Sequence, residues 1–280
     1  MTDRLSAISS LEALDRPAAK LGSTVRRLTK PKPVKELLSG TWLGHPLHPV
    51  LTDVTLGTLT SAVLLDWLGG EASRPASRRL IGIGLLSAVP TVASGYSDWG
   101  DAEVGDESAR RVGIVHAACN GTATALFAAS LAARARGGNG RALALAGAGA
   151  LAAGGYLGGH LAFAEGVGVN RTTFEEGGED WTAVLGDAEL ADGDMRCVVA
   201  DGTPVMVTRA EGGLYALSNR CSHLGGPLNE GMLDGFEVTC PLHDSVFDVR
   251  DGALVHGPAA YAQPAWDARV REGQIEVRRR

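Results

Sequence analysis

The sequence predicts an α + β two-domain chain, a four-transmembrane-helix bundle followed by an all-β domain. Three observations predict it. Four runs between about 50 and 163 are almost free of charge, the stretch from 181 to 280 is rich in charge and alternating pattern, and a glycine-rich acidic segment separates the two. The 280 residues are comfortable for two domains. A net charge of −6, from 26 Lys+Arg against 32 Asp+Glu, argues against a nucleic-acid binder, which needs a cationic surface. Four cysteines exclude a disulfide-dense secreted fold.

Residues 1–44 read as a basic, partly helical tail, solvated or lying on the membrane surface. A domain over 45–164 holds the apolar runs Val50–Gly69, Leu80–Tyr96, Val112–Ala133 and Ala142–Ala164. Each approaches or exceeds the roughly 17–25 residues that cross a bilayer as helix. Their recurrent small residues suit helix contacts in lipid. Leu80–Tyr96 is the shortest and contains Pro90. A soluble Ala-rich bundle is the alternative, but soluble helices show a charged face. Here the charges collect in the connectors, at Glu71 to Arg79, Asp98 to Arg111 and Arg134 to Arg141. The first run starts too far in for a signal peptide. Four spans put both ends of the chain on one side, and the basic residues from Arg4 to Arg27 tip that side toward the cytoplasm of a bacterial plasma membrane.

Glu165–Asp180 reads as a flexible linker with a span on the order of 20 Å. From Trp181, short runs such as Cys197–Ala200, Pro204–Thr208, Leu214–Leu217, Phe236–Thr239 and Ser245–Val249 read as strands. The turn signals Asp201-Gly202, Glu211-Gly212-Gly213, Asp234-Gly235, Asp251-Gly252 and Glu272-Gly273 separate them. About eight strands at this spacing predict a small sandwich or barrel.

Within the β domain, Cys221-Ser-His223 and Cys240-Pro-Leu-His243 stand sixteen residues apart. Thiolates and imidazoles in two short loops suit zinc or iron–sulfur. Zinc pairs more often space their ligands two to four residues apart. A [2Fe–2S] cluster needs this set when two Cys hold one iron and two His the other.

The segments Cys221-Ser-His223-Leu-Gly-Gly-Pro-Leu and Cys240-Pro-Leu-His243-Asp-Ser-Val-Phe-Asp resemble the Rieske iron–sulfur domain over about 181–280. The resemblance implies Cys221 and Cys240 on the buried ferric iron, and His223 and His243 on the exposed redox-active iron. Gly257-Pro258-Ala259 looks like the family's third loop over the cluster. Respiratory-type members carry a disulfide between the cluster loops, and Gly226 and Leu242 stand at those positions. Ser245 matches a serine that donates to sulfur, but Phe247 replaces a tyrosine that does so. The resemblance therefore implies a Rieske-type ferredoxin in the lower part of the family's potential range. A second, mononuclear iron domain does not fit in the 37 residues after His243, where His256 is the sole histidine.

Gly44, Pro46, His48 and Pro49 match the G-x-P-x-H-P opening of an uncharacterised bacterial family of four-helix membrane proteins, a resemblance over about 40–170. The traced topology brings His45, His48, His116 and His160 to one membrane boundary. Ionisable groups at membrane depth tend to be functional. His116 and His160 are candidate axial ligands of a b-type haem; a quinone or non-haem metal site and a structural polar network are the alternatives. Cys119 and Cys197 read as packing residues. The expected function is membrane-anchored electron transfer on a [2Fe–2S] cluster, to a redox partner protein or quinone. The alternative is a non-redox membrane module with a structural zinc. No nucleotide-binding pattern stands out.

Overall fold

The computed structural model describes the backbone of residues 2–280 and the side chains from Leu5 onward. The chain divides into two units. One takes the residues up to Pro31 together with Pro46–Val167, and the other Lys32–His45 with Gly168–Arg280.

The described residues hold seven α-helices where the sequence predicts four: α1 (Thr2–Ser9), α2 (Asp15–Thr29), α3 (Lys32–Ser39), α4 (Leu47–Leu68), α5 (Arg74–Gly105), α6 (Glu107–Ala135) and α7 (Arg141–Phe163). The four apolar runs lie in α4–α7, and the tail supplies the other three. Three helical stretches, Glu71–Gly105, Glu107–Ala135 and Arg141–Phe163, are long and apolar enough to cross a membrane. Helix α4 falls short, because Asp53, Asp66 and several threonines interrupt its leucines.

The shortest apolar run sits in the longest helix. Pro90 removes one backbone donor inside α5. The adjacent turns are held by hydroxyls, with Thr91 Oγ1 donating to the Ser87 carbonyl (2.7 Å) and Ser87 Oγ to that of Gly84 (3.0 Å). The charged stretch Asp98–Arg111, expected as a connector, is mostly helical and turns only at Asp106. That residue caps α6 by accepting the Ala109 N–H at 3.0 Å. Helix α2 supplies its ion partners. Arg111 forks onto Asp15 at 2.8 and 2.7 Å, and buried Glu103 lies between Arg26 and Arg110.

Helices α4–α7 form two antiparallel pairs, α4 on α5 and α6 on α7, with α5–α6 and α4–α7 closing the ring. The buried positions repeat. Thr55, Leu59, Ala62 and Asp66 on α4 correspond to Ala123, Phe127, Ser130 and Arg134 on α6, each 68 residues on. Ile81, Gly84, Ala88, Thr91 and Ser94 on α5 correspond to Ala144, Gly147, Leu151, Gly154 and Leu157 on α7 with an offset of 63, the stretch joining corresponding positions being shorter in the second pair. The close approaches repeat too. A Cβ on Gly84 would strike Leu59, and one on Gly147 would strike Phe127. The bundle is thus an internal duplication that little residue identity betrays.

The second unit is all-β apart from α3. Ten strands form a six-stranded antiparallel sheet, β1-β10-β9-β4-β3-β2, and a four-stranded one, β5-β6-β7-β8. Strands β1 (Thr182–Gly186), β2 (Met195–Ala200), β3 (Thr203–Ala210), β4 (Gly213–Ser218), β9 (Ala265–Arg271) and β10 (Gln274–Arg279) make the first. Strands β5 (Met232–Asp234), β6 (Glu237–Thr239), β7 (Val246–Asp248) and β8 (Leu254–His256) make the second. The hairpins at Asp201-Gly202, Glu211-Gly212 and Glu272-Gly273 have both residues at positive φ, the backbone that matches strand twist. One core, with Val205, Val207, Trp266 and Ile275, fills one side of the large sheet. The other joins Met206, Leu217, Leu228, Val238 and Phe247 to Cys221 and Cys240.

The segment read as a linker has neither helix nor strand. From Gly168 onward it belongs to the β unit: the Arg171 N–H donates to the Ser222 carbonyl (3.0 Å) and the Arg279 N–H to that of Gly178 (3.1 Å).

Candidate metal centre

Cys221 and His223 lie in the loop after β4, and Cys240 and His243 in the loop between β6 and β7. The two loops are built alike. Each cysteine N–H donates to the carbonyl five residues on, Cys221 to Gly226 and Cys240 to Ser245, both at 2.8 Å. Each cysteine carbonyl accepts from the residue four on, Gly225 (2.9 Å) and Asp244 (3.2 Å), and both of these have positive φ. The turn aims two further N–H groups at each sulfur: His223 and Leu224 at Cys221, Leu242 and His243 at Cys240. Such donors favour sulfur carrying negative charge.

The loops bring like groups together. The Cys221 and Cys240 side chains lie within interacting reach of each other. Pairing with Cys221 and the Leu242 and His243 N–H groups draw the Cys240 thiol down to about 7 against the effect of burial. The same pairing, with burial, pushes Cys221 up. The His223 and His243 rings meet edge to face, 5.2 Å between centroids. Burial holds His223 well below its ordinary value, with the charges of His243, Lys35 and Arg171 adding to it. The chemistry is therefore two thiols, Cys240 the more readily ionised, and two imidazoles, in a sulfur pair and a ring pair. No three His, Cys, Asp or Glu side chains among the described residues are grouped to hold a single metal ion. Two pairs suit a cluster whose irons each take one pair.

Gly226 permits the close approach of the loops, since a Cβ there would fall 2.8 Å from Cys240 Sγ and 2.9 Å from Leu242 Cγ. The positions of the respiratory-type disulfide are thus in direct contact here without sulfur. Ser245 is fully buried, and its Oγ accepts the Ala259 N–H at 3.0 Å, tying the third loop to the second. Pro258 follows a cis peptide in that loop and is buried. Phe247 is fully buried in the core that contains both cysteines.

Two features have no counterpart in the sequence reading. Buried Gln263 clamps the first loop, its Oε1 accepting from Ser222 N–H (3.0 Å) and its Nε2 donating to the carbonyls of Ser218 (2.7 Å) and Arg220 (2.6 Å). The segment Lys32–His45 packs on the third loop. Thr41 Oγ1 donates to the Ala259 carbonyl (3.0 Å), and His256 Nδ1 pairs with Glu36 (2.8 Å). Neither has a local motif, because both act across long sequence separations.

The histidines of the first half part company. His45 belongs to the β unit, where its ring meets Tyr261 edge-on at 6.3 Å. His160, at the end of α7, pairs with Glu165 (3.1 Å). His48 Nδ1 donates to the Thr91 carbonyl (2.9 Å) and His116 Nδ1 to that of Gly154 (2.8 Å). Cys119 packs partly buried beside Val112 and Leu157. Cys197 is exposed on β2, not in the core, because the alternation of that strand turns it outward.

Comparison with known proteins places two families on the chain. A Rieske [2Fe–2S] domain matches residues 180–267, and a predicted membrane protein domain, DUF2231, matches 44–171. The ferredoxin component of a naphthalene 1,2-dioxygenase system from Pseudomonas aeruginosa is 31% identical over 96 residues, 34% of this chain and 91% of that protein. The ferredoxin subunit of an anthranilate 1,2-dioxygenase from Burkholderia cepacia is 31% identical over 98 residues, 35% of this chain and 91% of that one. Among solved structures, the ferredoxin of carbazole 1,9a-dioxygenase from Nocardioides aromaticivorans is 34% identical with a TM-score of 0.35, covering 36% of this chain and 98% of that one.

Proposed function

Because the chain belongs, through its C-terminal domain, to the Rieske [2Fe–2S] ferredoxin family and carries a predicted membrane protein domain ahead of it, we propose that it is a membrane-anchored one-electron carrier. The observation that carries this reading is the pairing of sulfur with sulfur and ring with ring in two like-built loops. A [2Fe–2S] cluster in such a site takes up and releases one electron. Cys221 and Cys240 hold one iron as thiolates, and His223 and His243 hold the other as neutral imidazoles. Gln263, Ser245 and Gly226 keep the loops at that spacing. The four N–H groups at the cysteine sulfurs favour the more negative, reduced state.

In this reading α4–α7 cross a bacterial plasma membrane, and the β domain lies on the cytoplasmic side with the N-terminus. The similar proteins are ferredoxin components of dioxygenase systems. The proposed exchange is accordingly with a protein redox centre, and with a haem or quinone site among the membrane helices.

The test is full-length protein purified in detergent, assayed for iron and acid-labile sulfide beside a His243→Ala variant. Two irons and two sulfides per chain, with the Rieske absorption lost in the variant, are expected. Stoichiometric zinc, or a spectrum unchanged in the variant, would overturn the ligand assignment.

A further inference from the structure

His48 and His116 occupy equivalent positions in the duplicated bundle, related by the same 68-residue offset as Asp66 and Arg134. Their surroundings are equivalent as well. Each ring donates Nδ1–H to a carbonyl of the next helix, Thr91 or Gly154, themselves a corresponding pair. Each lies on the glycine four residues further on. A Cβ on Gly95 would meet His48 Cε1, Nδ1 and Nε2 at 2.6, 2.9 and 3.2 Å, and one on Gly158 would meet the same atoms of His116, in the same order, at 2.9, 3.3 and 3.9 Å.

Helices α4 and α6 both pack on α5 and α7 and so oppose each other across the bundle. At one end of that diagonal, Asp66 and Arg134 close a buried ion pair. At the other end stand the two histidines, each bonded to the helix that follows its own.

The ring chemistry narrows what such a pair can take. With Nδ1–H committed to a carbonyl, a neutral imidazole offers only the lone pair of Nε2. That arrangement orients histidines as metal ligands. With Nδ1–H so committed, neither neutral imidazole has an N–H left to offer a quinone carbonyl. A bare metal ion would lack ligands, since the pair has no third His, Cys, Asp or Glu grouped with it among the described residues. A metal that brings its own four equatorial ligands needs just two from the protein. Bundle interiors commonly build cofactor sites in this way, from side chains on facing helices.

We propose that His48 and His116, paired by the internal duplication, are the two axial ligands of one iron porphyrin in the helical unit. This deepens the membrane part of the reading above and replaces the pair His116 and His160, since His160 is engaged by Glu165. The Nε2 of His116 accepts a hydrogen bond from Asn120 Nδ2 (3.1 Å), and ligation requires that amide to turn away.

Full-length protein made with an ample haem supply and purified in detergent provides the test. Haem is read by pyridine haemochrome, and the spin state by absorption of the oxidised and reduced forms. The wild type is expected to hold one low-spin b-type haem per chain. His48→Ala and His116→Ala should each lose it, whereas His45→Ala and His160→Ala keep it. His48→Met guards against simple misfolding: a retained haem with a moved absorption band and midpoint potential marks an axial ligand, which a merely structural histidine would not produce. A wild type without haem, or haem unaffected at both positions, overturns the proposal. The [2Fe–2S] signal is recorded in every sample, so failure here is separable from failure of the ferredoxin reading.

Discussion

At the scale of single residues, the sulfur environment sets the potential. Phe247 is fully buried in the core that includes Cys221 and Cys240. Replacing it with Tyr introduces one hydroxyl into a core that contains both cysteines. If that hydroxyl donates to Cys221, a bond worth about 1 kcal/mol corresponds to roughly 40 mV for one electron. Phe247→Tyr is expected to raise the midpoint potential by tens of millivolts, measured by redox titration with the cluster intact. A lowered or unmoved potential would contradict the correspondence. The four proposed ligands could be singled out in the sequence because their chemistry is local, Cys and His within two or three residues of each other. Gln263 was not, because a lone glutamine between Ala262 and Pro264 carries no pattern.

At the scale of elements, the cluster loops depend on contacts that reach across the unit. Gln263 satisfies three backbone groups, in buried Ser218 and Ser222 and in Arg220. Gln263→Leu keeps the bulk and removes all three bonds. Each buried group left without a partner costs about 1–3 kcal/mol. The variant should therefore lose its cluster absorbance at a clearly lower temperature than wild type in a thermal melt, and an unchanged melt would show that the clamp is dispensable. Elements with strong turn signals were legible, as the Asp-Gly and Glu-Gly hairpins show. Helix α2 was read only as part of a tail, because its ion partners Glu103 and Arg111 lie 77 and 96 residues away and no window of sequence joins them.

At the scale of the whole molecule, the duplication explains the buried charges of the bundle. Asp66 and Arg134 hold corresponding positions, so one repeat supplies the acid and the other the base. Removing either partner leaves a buried charge alone, at a cost of about 3–5 kcal/mol. Asp66→Ala should lower the detergent-solubilised protein's melting temperature. The double exchange Asp66→Arg with Arg134→Asp should recover much of the loss, because equivalent sites can trade roles. Failure of the exchange to recover any stability would argue that the two sites are not equivalent. The sequence hid this repeat: the burial pattern is shared, while residues such as Leu59 and Phe127 differ in kind. It did disclose the division into an apolar helical half and a charged β half, since composition alone changes between them.

The central claim is that the paired loops hold a Rieske-type cluster working as a one-electron carrier in a membrane protein. Its most direct test is an EPR spectrum of membranes containing the full-length chain, before and after dithionite. A silent oxidised sample and a Rieske-type paramagnetic signal on reduction, sedimenting with the membranes, are expected. A sample silent in both states, with zinc bound in place of iron, would contradict it.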